Sequence, residues 1–189
     1  KWSITNYTSN NPYEVILNGF EIDYQTRFWY LPGFLSGFVL NANYTVIDSE
    51  VKYPRTVIDI AIDWGPPLTT VTTNIDTFYT DRLIDQADEV INLSLGYDYK
   101  GFSGRLSMLH KANTFTRADF WPSLRESSDD YTRWDLSMKQ KLPFEGMSMY
   151  LNISNMTNAK DVTLVRGGNF PASEQHYGKT IDLGFRYSF

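Results

Sequence analysis

Apolar and polar residues alternate one by one through most of this chain, and a period of two is the pattern of a β-strand. The segment that ends at Phe189 is the clearest case. Alternate positions hold Ile181, Leu183, Phe185 and Tyr187, and the positions between them are polar or glycine. Helical periodicity is almost absent. The pattern therefore predicts an all-β protein.

Six further segments alternate in the same way and bring the number of predicted strands to seven. They are residues 20–30, 38–46, 91–99, 102–108, 132–139 and 147–154. A partial strand at Lys1–Tyr7 would make eight, and because Lys1 falls inside the alternation we expect the chain to be the later part of a longer polypeptide. With their ends included, most segments reach the roughly 9–11 residues that a tilted strand needs to cross a bilayer.

The links between the predicted strands alternate in length. Short links with proline or glycine occupy residues 31–37, 100–101 and 143–146, and long links span about Asp48–Val90, Thr116–Tyr131 and Met156–Tyr177. Short turns at one end and long loops at the other are typical of outer-membrane barrels, whose short turns face the periplasm. The alternation predicts a transmembrane antiparallel up-and-down β-barrel and places Phe189 on the periplasmic side.

Aromatic residues mark the two ends of the apolar faces. Tyr97 and Tyr99 lie at the short-turn end, whereas Tyr44 and Trp134 lie toward the long links. Two aromatic levels are typical of girdles at the two membrane interfaces. A soluble β-sandwich also has alternating strands, but its long loops are not systematically at one end. The pattern favours the membrane barrel.

Composition limits the other function classes. Hydrophobic residues make up 42% of the chain, which is compatible with a barrel because only alternate residues face lipid. The absence of cysteine excludes disulfides, thiolate metal sites and cysteine nucleophiles. A net charge of −5 gives no basic face for nucleic acid.

Three stretches resemble the C-terminal part of TonB-dependent receptors, the active transporters of Gram-negative outer membranes. The first is the closing segment Tyr177–Phe189, with its tyrosine-glycine start and its arginine-tyrosine-x-phenylalanine end. The second is Tyr150–Asn158, which is similar to the penultimate strand and its Asn-x-Thr-Asn loop. The third is Asn18–Tyr24, followed by Leu31-Pro32-Gly33 and Leu40–Thr45.

The resemblance implies that residues 1–189 are the C-terminal segment of a plugged barrel of about 22 strands, of which the last seven or eight are present. It implies energised uptake of a scarce solute, such as a siderophore-bound metal, cobalamin, a glycan or a peptide, across the bacterial outer membrane. The expected partners are outer-membrane lipid and lipopolysaccharide, the protein's own plug domain, TonB and the β-barrel assembly machinery. A surface lipoprotein or a larger envelope complex is a further option. No cofactor and no nucleic-acid partner are expected.

Candidate site residues fall into three groups. Aromatic and arginine side chains of the long links offer either ligand contact or local packing, with packing favoured: Trp64, Phe78, Tyr79, Arg82, Trp121 and Arg125. By strand parity, Arg133, Asp135, Asp182 and Arg186 face the lumen, where pairing is the default and substrate contact favours Arg133 and Asp135. Tyr187 and Phe189 belong to the terminal strand that assembly machinery would capture by strand addition.

No catalytic motif stands out, and we expect no enzyme. The histidines are His110 and His176, and no metal-ligand spacing accompanies them. Three alternatives remain open: a complete eight-stranded barrel, a non-transporting barrel subunit of an envelope complex, and an outer-membrane hydrolase that uses Asp130 with His176.

Overall fold

The computed structural model describes residues 10–168 and 170–189. These residues form antiparallel sheets with two short 3₁₀ turns, so the predicted all-β class is confirmed. No helix of the described chain is long enough to span a membrane. The strands are β1 Val15–Arg27, β2 Phe38–Asp63, β3 Thr69–Asp81, β4 Glu89–Tyr99, β5 Phe102–Ala112, β6 Phe115–Arg117, β7 Glu126–Ser128, β8 Tyr131–Lys141, β9 Met147–Ser154, β10 Lys160–Val165, β11 Phe170–His176 and β12 Thr180–Tyr187.

The main sheet contains all seven strands that the alternation predicted. Its order is β1-β2-β4-β5-β8-β9-β12, with β3 paired to β2. The first predicted strand is shifted: it begins at Val15 and ends at Arg27, because Trp29 and Tyr30 turn the chain toward the 3₁₀ helix Gly33–Gly37. The order leaves β1 and β12 at the two edges of an open sheet. The predicted partial strand at Lys1–Tyr7 lies outside the described residues.

The long link predicted over Asp48–Val90 is largely a β-hairpin, so that prediction is wrong. Strand β2 continues to Asp63 and pairs with β3 over thirteen successive residues, from Val51↔Asp81 to Asp63↔Thr69. The physical reason is that this segment is rich in Val, Ile and Thr, which favour extended backbone. The hairpin supplies the eighth strand of the main sheet.

The other two long links form a second sheet of four strands in the order β11-β10-β7-β6. The predictions of loops over residues 116–131 and 156–177 are therefore also wrong in part. Phe115 is fully buried, and the Arg166 guanidinium lies 5.5 Å from its ring centroid. Its backbone exchanges hydrogen bonds with Asp85 and Gln86. These contacts tie the start of the small sheet to the chain segment before β4.

The chain divides into two compact units. One contains Ser49–Leu83 with residues 10–17, and the other contains Asn18–Asp48 with residues 84–168 and 170–189. Val51 in the first unit and Phe115 in the second are the buried hydrophobic residues of the described chain. A conventional apolar core is thus almost absent from the described residues.

One face of the main sheet carries apolar side chains in register. Residues directly opposite each other in an antiparallel pair lie on the same face. One row crosses six strands in the order Ile181, Ile153, Leu136, Leu106, Leu95 and Leu40, and the next contains Leu183, Leu151, Met138, Gly104, Tyr97 and Phe38. None of the six residues of the first row is buried. Within the part of the chain that the structure describes, this apolar face is therefore continuous and has no layer over it.

Aromatic rings gather at the end of the sheet where the links are short. The Phe38 and Tyr97 ring centroids are 4.9 Å apart, and Tyr97 also lies 6.2 Å from both Tyr99 and Phe102. The Lys100 ammonium, in the turn itself, lies 5.3 Å from the Tyr99 ring centroid. Rings near a polar turn with a cation above them are typical of a boundary between apolar and aqueous surroundings.

Candidate functional site

The opposite face of the main sheet is polar and holds its side chains together by hydrogen bonds between strands. The Ser137 hydroxyl donates to Asn152 over 2.7 Å, and the Asn152 amide donates to Asp182 over 3.4 Å. Ser107 donates to Ser94 on the neighbouring pair of strands. Because these polar side chains already have hydrogen-bond partners within their own sheet, they do not need a further layer of protein to supply them.

Arginine and aspartate pair on this face across the hairpin of β4 and β5. The Arg105 guanidinium donates to both carboxylate oxygens of Asp98, at 3.0 and 2.6 Å. Its path to Asp98 crosses Gly96, where a Cβ would lie 2.8 Å from the guanidinium carbon. Gly184 is covered in the same way, since a Cβ there would lie 2.5 Å from Tyr150 Cζ. Both glycines leave room for a long side chain of the next strand.

Arg133 and Asp135 also meet on the polar face. The Arg133 Nε–H donates to Asp135 Oδ2 over 3.0 Å, and the other Asp135 oxygen accepts from the Asn155 backbone N–H over 2.8 Å. Asp182 pairs in register with Asn152, and Arg186 with Ser148, so the four charged residues predicted to face a lumen share the polar face of the sheet. Arg133 and Asp135 pair with each other along one strand rather than across strands.

A pocket of about 550 Å³ opens on the polar face, where the main sheet meets the small sheet. Lys111 and Arg133 contribute positive charge to it, and Asp161 contributes negative charge. Most of the remaining lining residues carry hydroxyl groups: Thr114, Thr116, Ser128, Tyr131, Ser154, Thr163, Tyr177 and Thr180. The volume is in the range of small-molecule sites, and the hydroxyl lining suits a polar solute.

One polar atom of this pocket lacks a partner. The Thr116 hydroxyl is buried and makes no hydrogen bond with any residue that the structure describes. An unsatisfied buried hydroxyl costs roughly 1–3 kcal/mol, and a bound solute or water could accept a hydrogen bond from it. A group of acidic or histidine side chains able to hold a metal ion does not occur among the described residues.

Asn155 closes one wall of the pocket and was not among the predicted site residues. Its side chain accepts from the Ala159 N–H over 2.7 Å and donates to the Ala159 and Gly178 carbonyls over 3.1 and 2.9 Å. The residue is 5% exposed with a φ of +55°. The Asn155-Met156-Thr157-Asn158 motif was the signal for this position, because asparagine tolerates a left-handed backbone and bonds to its own loop.

Four of the predicted loop candidates lie in the hairpin unit. Phe78 and Tyr79 are strand residues of β3 rather than loop residues, because each pairs in register with β2. Phe78 contacts the Tyr13 ring at 5.1 Å, and Tyr79 stacks on Tyr53 at 5.4 Å. The Arg82 carbonyl accepts from the Tyr53 hydroxyl. These contacts are local packing.

Trp64 is the fourth candidate of that unit. It follows β2 directly, and it is 81% exposed. Trp121 and Arg125 lie in the other unit, next to the 3₁₀ turn Pro122–Leu124. The Arg125 Nε–H donates to the Asp119 carbonyl over 2.9 Å, whereas Trp121 is 60% exposed. The two tryptophans keep a large free surface, and Arg125 packs into its own loop.

His176 takes part in a charged cluster on the small sheet. Glu174 Oε1 lies 2.9 Å from Lys160 Nζ and 2.9 Å from His176 Nε2. The hydrogen bond from Lys160 is the main reason that the pKa of the Glu174 carboxyl lies below its usual range, and the Lys160 and His176 charges add to it. His110 lies elsewhere, on the apolar face opposite Thr132 and Ile91.

Replacing Lys160 with methionine is expected to raise the pKa of the Glu174 carboxyl toward its ordinary value. Because folding lowers this pKa, the contact stabilises the pairing of β10 with β11 at neutral pH. This stabilisation is lost as the pH falls through the lowered pKa of Glu174. Carbon-13 NMR of the Glu174 carboxyl in detergent micelles would follow the titration. Lys179→Met, outside the cluster, serves as control, and an equal shift in both variants would contradict the assignment.

No protein-family model, no curated protein and no solved structure matches this chain. Its function is therefore inferred from the two faces of the main sheet, the pocket between the sheets and the resemblance of the three stretches described above.

Proposed function

We propose that the chain forms part of the wall of a transmembrane β-barrel in the bacterial outer membrane. Its apolar face would contact lipid, and its polar face would line the lumen. The observation that carries this proposal is the uncovered apolar face, on which rows such as Leu136, Leu106 and Leu95 run in register across neighbouring strands. Lipid is the covering that such a face requires when no protein layer covers it.

The scarcity of buried apolar residues supports the proposal. A soluble domain of this size buries about 70% of the surface that its unfolded chain exposes. Here Val51 and Phe115 are the buried hydrophobic residues of the described chain, whereas Leu183 and Phe185 remain 62% and 65% exposed. A soluble protein with such an exposed surface would aggregate.

The direction of the strands supports an orientation. The short links between β1 and β2, β4 and β5, and β8 and β9 lie at one end of the sheet, and the small sheet arises from the links at its other end. In outer-membrane barrels short turns are periplasmic and long connections are extracellular. The pocket would then lie at the outer end of the lumen.

Within this class we propose a TonB-dependent receptor, of which the chain is the C-terminal barrel portion. The open sheet, with β1 and β12 as its edges, suits a larger barrel of about 22 strands better than a closed barrel of eight. The resemblance of the three stretches supports energised uptake, with a plug domain in the lumen and TonB acting from the periplasm. The solute class stays open among siderophore-bound metal, cobalamin, glycan and peptide.

The pocket is the proposed point of solute contact. Arg133 and Lys111 stand in its wall, and Arg133 keeps its guanidinium partly exposed beside Asp135. The remaining charges of the polar face have partners on their own sheet or remain available to the plug. In the same proposal, Tyr187 and Phe189 form the strand end that the assembly machinery captures.

Spin labels at adjacent cysteines on β4 test the membrane placement, because the chain has no native cysteine. A label at Leu93→Cys is expected to collide with lipid-soluble oxygen, and a label at Ser94→Cys is expected to collide with a water-soluble nickel chelate. The reason is that adjacent strand residues face opposite sides. The measurement is power-saturation EPR of the protein in lipid vesicles.

The matched pair Met108→Cys and Ser107→Cys on β5 should repeat the result with the same parity. Water-like accessibility at both Leu93 and Met108 would contradict the barrel. The receptor assignment has a separate test in the mass of the native polypeptide on a denaturing gel. A mass no larger than the 21.9 kDa of this chain would leave no room for a plug and would exclude a TonB-dependent receptor.

A further inference from the structure

Three cations line a second pocket on the polar face of the main sheet, next to the turn between β8 and β9. Lys139 and Lys141 are alternate residues of β8 and therefore share a face, and Arg186 lies on β12. Strand β9 runs between these two strands. All three side chains are exposed, and the pocket that they line has a volume of about 410 Å³. We call it the cation pocket.

The strand register places a small residue between two of these long side chains. Lys141 pairs with Ser148 on β9, and Ser148 pairs with Arg186 on β12, so the three residues form one row on one face. The backbones of Lys141 and Arg186 are two strand spacings apart, about 10 Å. Ser148 is 7% exposed and forms the floor between them. An anion above Ser148 would therefore lie between an ammonium and a guanidinium group.

The next row contributes a further hydroxyl group. Lys139 pairs with Tyr150, and Tyr150 pairs with Gly184. The Tyr150 ring lies over Gly184 and lines an adjoining pocket that shares Lys139, Ser148 and Arg186 with the cation pocket. The Tyr150 hydroxyl has no hydrogen-bond partner among the residues that the structure describes. It is therefore able to donate to a ligand of the cation pocket.

No carboxylate of the described chain forms an ion pair with these three cations. Glu145, in the turn that forms one wall of the pocket, makes no ion pair either. Asp182 lies four residues before Arg186, about 13 Å away along β12, and its carboxylate accepts from the Asn152 amide. The cation pocket therefore carries a surplus of positive charge, although the formal net charge of the chain is −5.

A phosphate group fits this arrangement better than a carboxylate does. A phosphate monoester carries about two negative charges and presents three acceptor oxygens, whereas a carboxylate has one charge and two oxygens. An arginine fork binds two phosphate oxygens at once, and a lysine binds phosphate as a point charge. Cations on two sides with hydroxyl groups between them suit a tetrahedral, doubly charged group.

We propose that the cation pocket binds the phosphate group of a soluble solute, either free phosphate or a phosphate monoester. Arg186 would bind two phosphate oxygens, Lys139 and Lys141 would approach from β8, and the hydroxyl groups of Ser148 and Tyr150 would donate to the same group. This site lies at the short-link end of the sheet, whereas the hydroxyl-lined pocket lies at the other end. It requires only that the polar face be in water, so it does not depend on the membrane placement.

Calorimetric titration of the full chain in detergent tests the proposal with three anions: inorganic phosphate, glycerol phosphate and succinate. At about pH 8 and low salt all three are mainly dianions, so their charges are matched. At least one of the two phosphate ligands is expected to bind about tenfold more tightly than succinate. The tighter of the two identifies the source of the phosphate group. Succinate binding as tight as both, or no phosphate binding at about 10 mM, would overturn the proposal.

Charge removal locates the site. Arg186→Gln and Lys141→Gln are each expected to weaken phosphate binding about tenfold, and the double variant is expected to abolish it. Lys179→Gln is the matched control, because Lys179 is exposed and precedes the other end of β12. This control should bind phosphate as tightly as the unmodified chain. Equal weakening in all variants would show a general attraction of anions and would overturn the pocket.

Thermal unfolding followed by tryptophan fluorescence checks that the variants fold. Arg186 and Lys141 are exposed and have no ion-pair partner among the described residues, so their replacement is expected to leave the unfolding temperature unchanged. If Arg186→Gln unfolds earlier, Arg186→Lys repeats the test, since it keeps the charge and loses the fork. It is expected to bind phosphate more weakly than the unmodified chain, and unchanged affinity would contradict the role of the guanidinium.

An acidic polypeptide is the rival occupant of the cation pocket. A capped Glu-Glu dipeptide is also a dianion at about pH 8, and it is expected to bind no more tightly than succinate. If the dipeptide bound more tightly than both phosphate ligands, the pocket would be a docking point for acidic side chains. That result would overturn the assignment to phosphate.

Discussion

Replacing Leu106 with arginine is expected to destabilise the folded protein in a lipid bilayer by about 2–4 kcal/mol, the cost of an arginine near the midplane of a barrel's lipid face. Leu106 lies between Leu95 and Leu136 in the central part of the apolar face. Urea titration of the protein in vesicles, followed by tryptophan fluorescence, measures the change in the free energy of unfolding. In water the same substitution on an uncovered face would change it by no more than about 0.5 kcal/mol.

The adjacent Ser107→Arg variant is the matched control. Ser107 lies on the polar face, where its hydroxyl donates to Ser94 over 3.2 Å. Loss of this single contact is expected to cost no more than about 1 kcal/mol, and the new arginine would stay in aqueous surroundings. Equal destabilisation by the two variants would show that the faces do not differ in environment, and the membrane proposal would fail.

Replacing Asn155 with glycine is expected to destabilise the loop after β9 by about 3 kcal/mol, because three side-chain hydrogen bonds of about 1 kcal/mol each are lost. Glycine keeps the left-handed backbone, with its φ of +55°, free of strain. Amide hydrogen exchange at Ala159, whose N–H donates to the Asn155 side chain, should accelerate about 100-fold.

Asn158→Gly controls for the backbone. Asn158 has a φ of +54° and is exposed. Loss of its side chain should therefore leave amide hydrogen exchange at Ala159 nearly unchanged. If both variants accelerated exchange equally, backbone entropy and not the hydrogen bonds of Asn155 would hold the loop. Asn155 also donates its backbone N–H to Asp135, and glycine keeps this donor, so the N155G variant is expected to change the pocket wall only through the loosened loop.

The seven main strands could be predicted because their two faces differ so strongly. Where one face is apolar and the other polar, a register slip of one residue would exchange the faces, so the sequence specifies the pairing. Residues 147–154 were predicted and observed with the same bounds. The same logic placed Arg133 and Asp135 on one face before their contact was seen.

Strand β3 was missed because neither of its faces is clearly apolar. Thr70, Thr72 and Asn74 share one face, and Val71 and Ile75 interrupt threonines on the other. The available signal was the high content of threonine, valine and isoleucine. These β-branched residues favour a strand even where apolar and polar positions do not alternate. The small sheet was missed for a different reason: β6 and β7 have three residues each, too few for any period to be visible.

The pocket could be predicted only in part. The alternation along β8 placed Arg133 on the polar face. The hydroxyl lining from Thr116, Ser128 and Thr163, however, depends on how the strands of the small sheet pair. That pairing joins residues 35 to 39 positions apart, from Thr163↔Ser128 to Val165↔Glu126, and no local pattern in the sequence encodes it. The buried Phe115 was likewise invisible, because a single aromatic in a polar link has no periodic neighbours.

The two covered glycines have a consequence for how this sequence can evolve. Arg105 lies over Gly96, and Tyr150 lies over Gly184, so any larger residue at either glycine would displace a side chain of the adjacent strand. A first substitution at Gly96 would separate Arg105 from Asp98 and leave the carboxylate without its strongest partner. Tolerated change at these sites therefore has to be paired. Among related sequences, we expect each glycine to vary together with the residue above it, even though nine and thirty-four positions separate the partners.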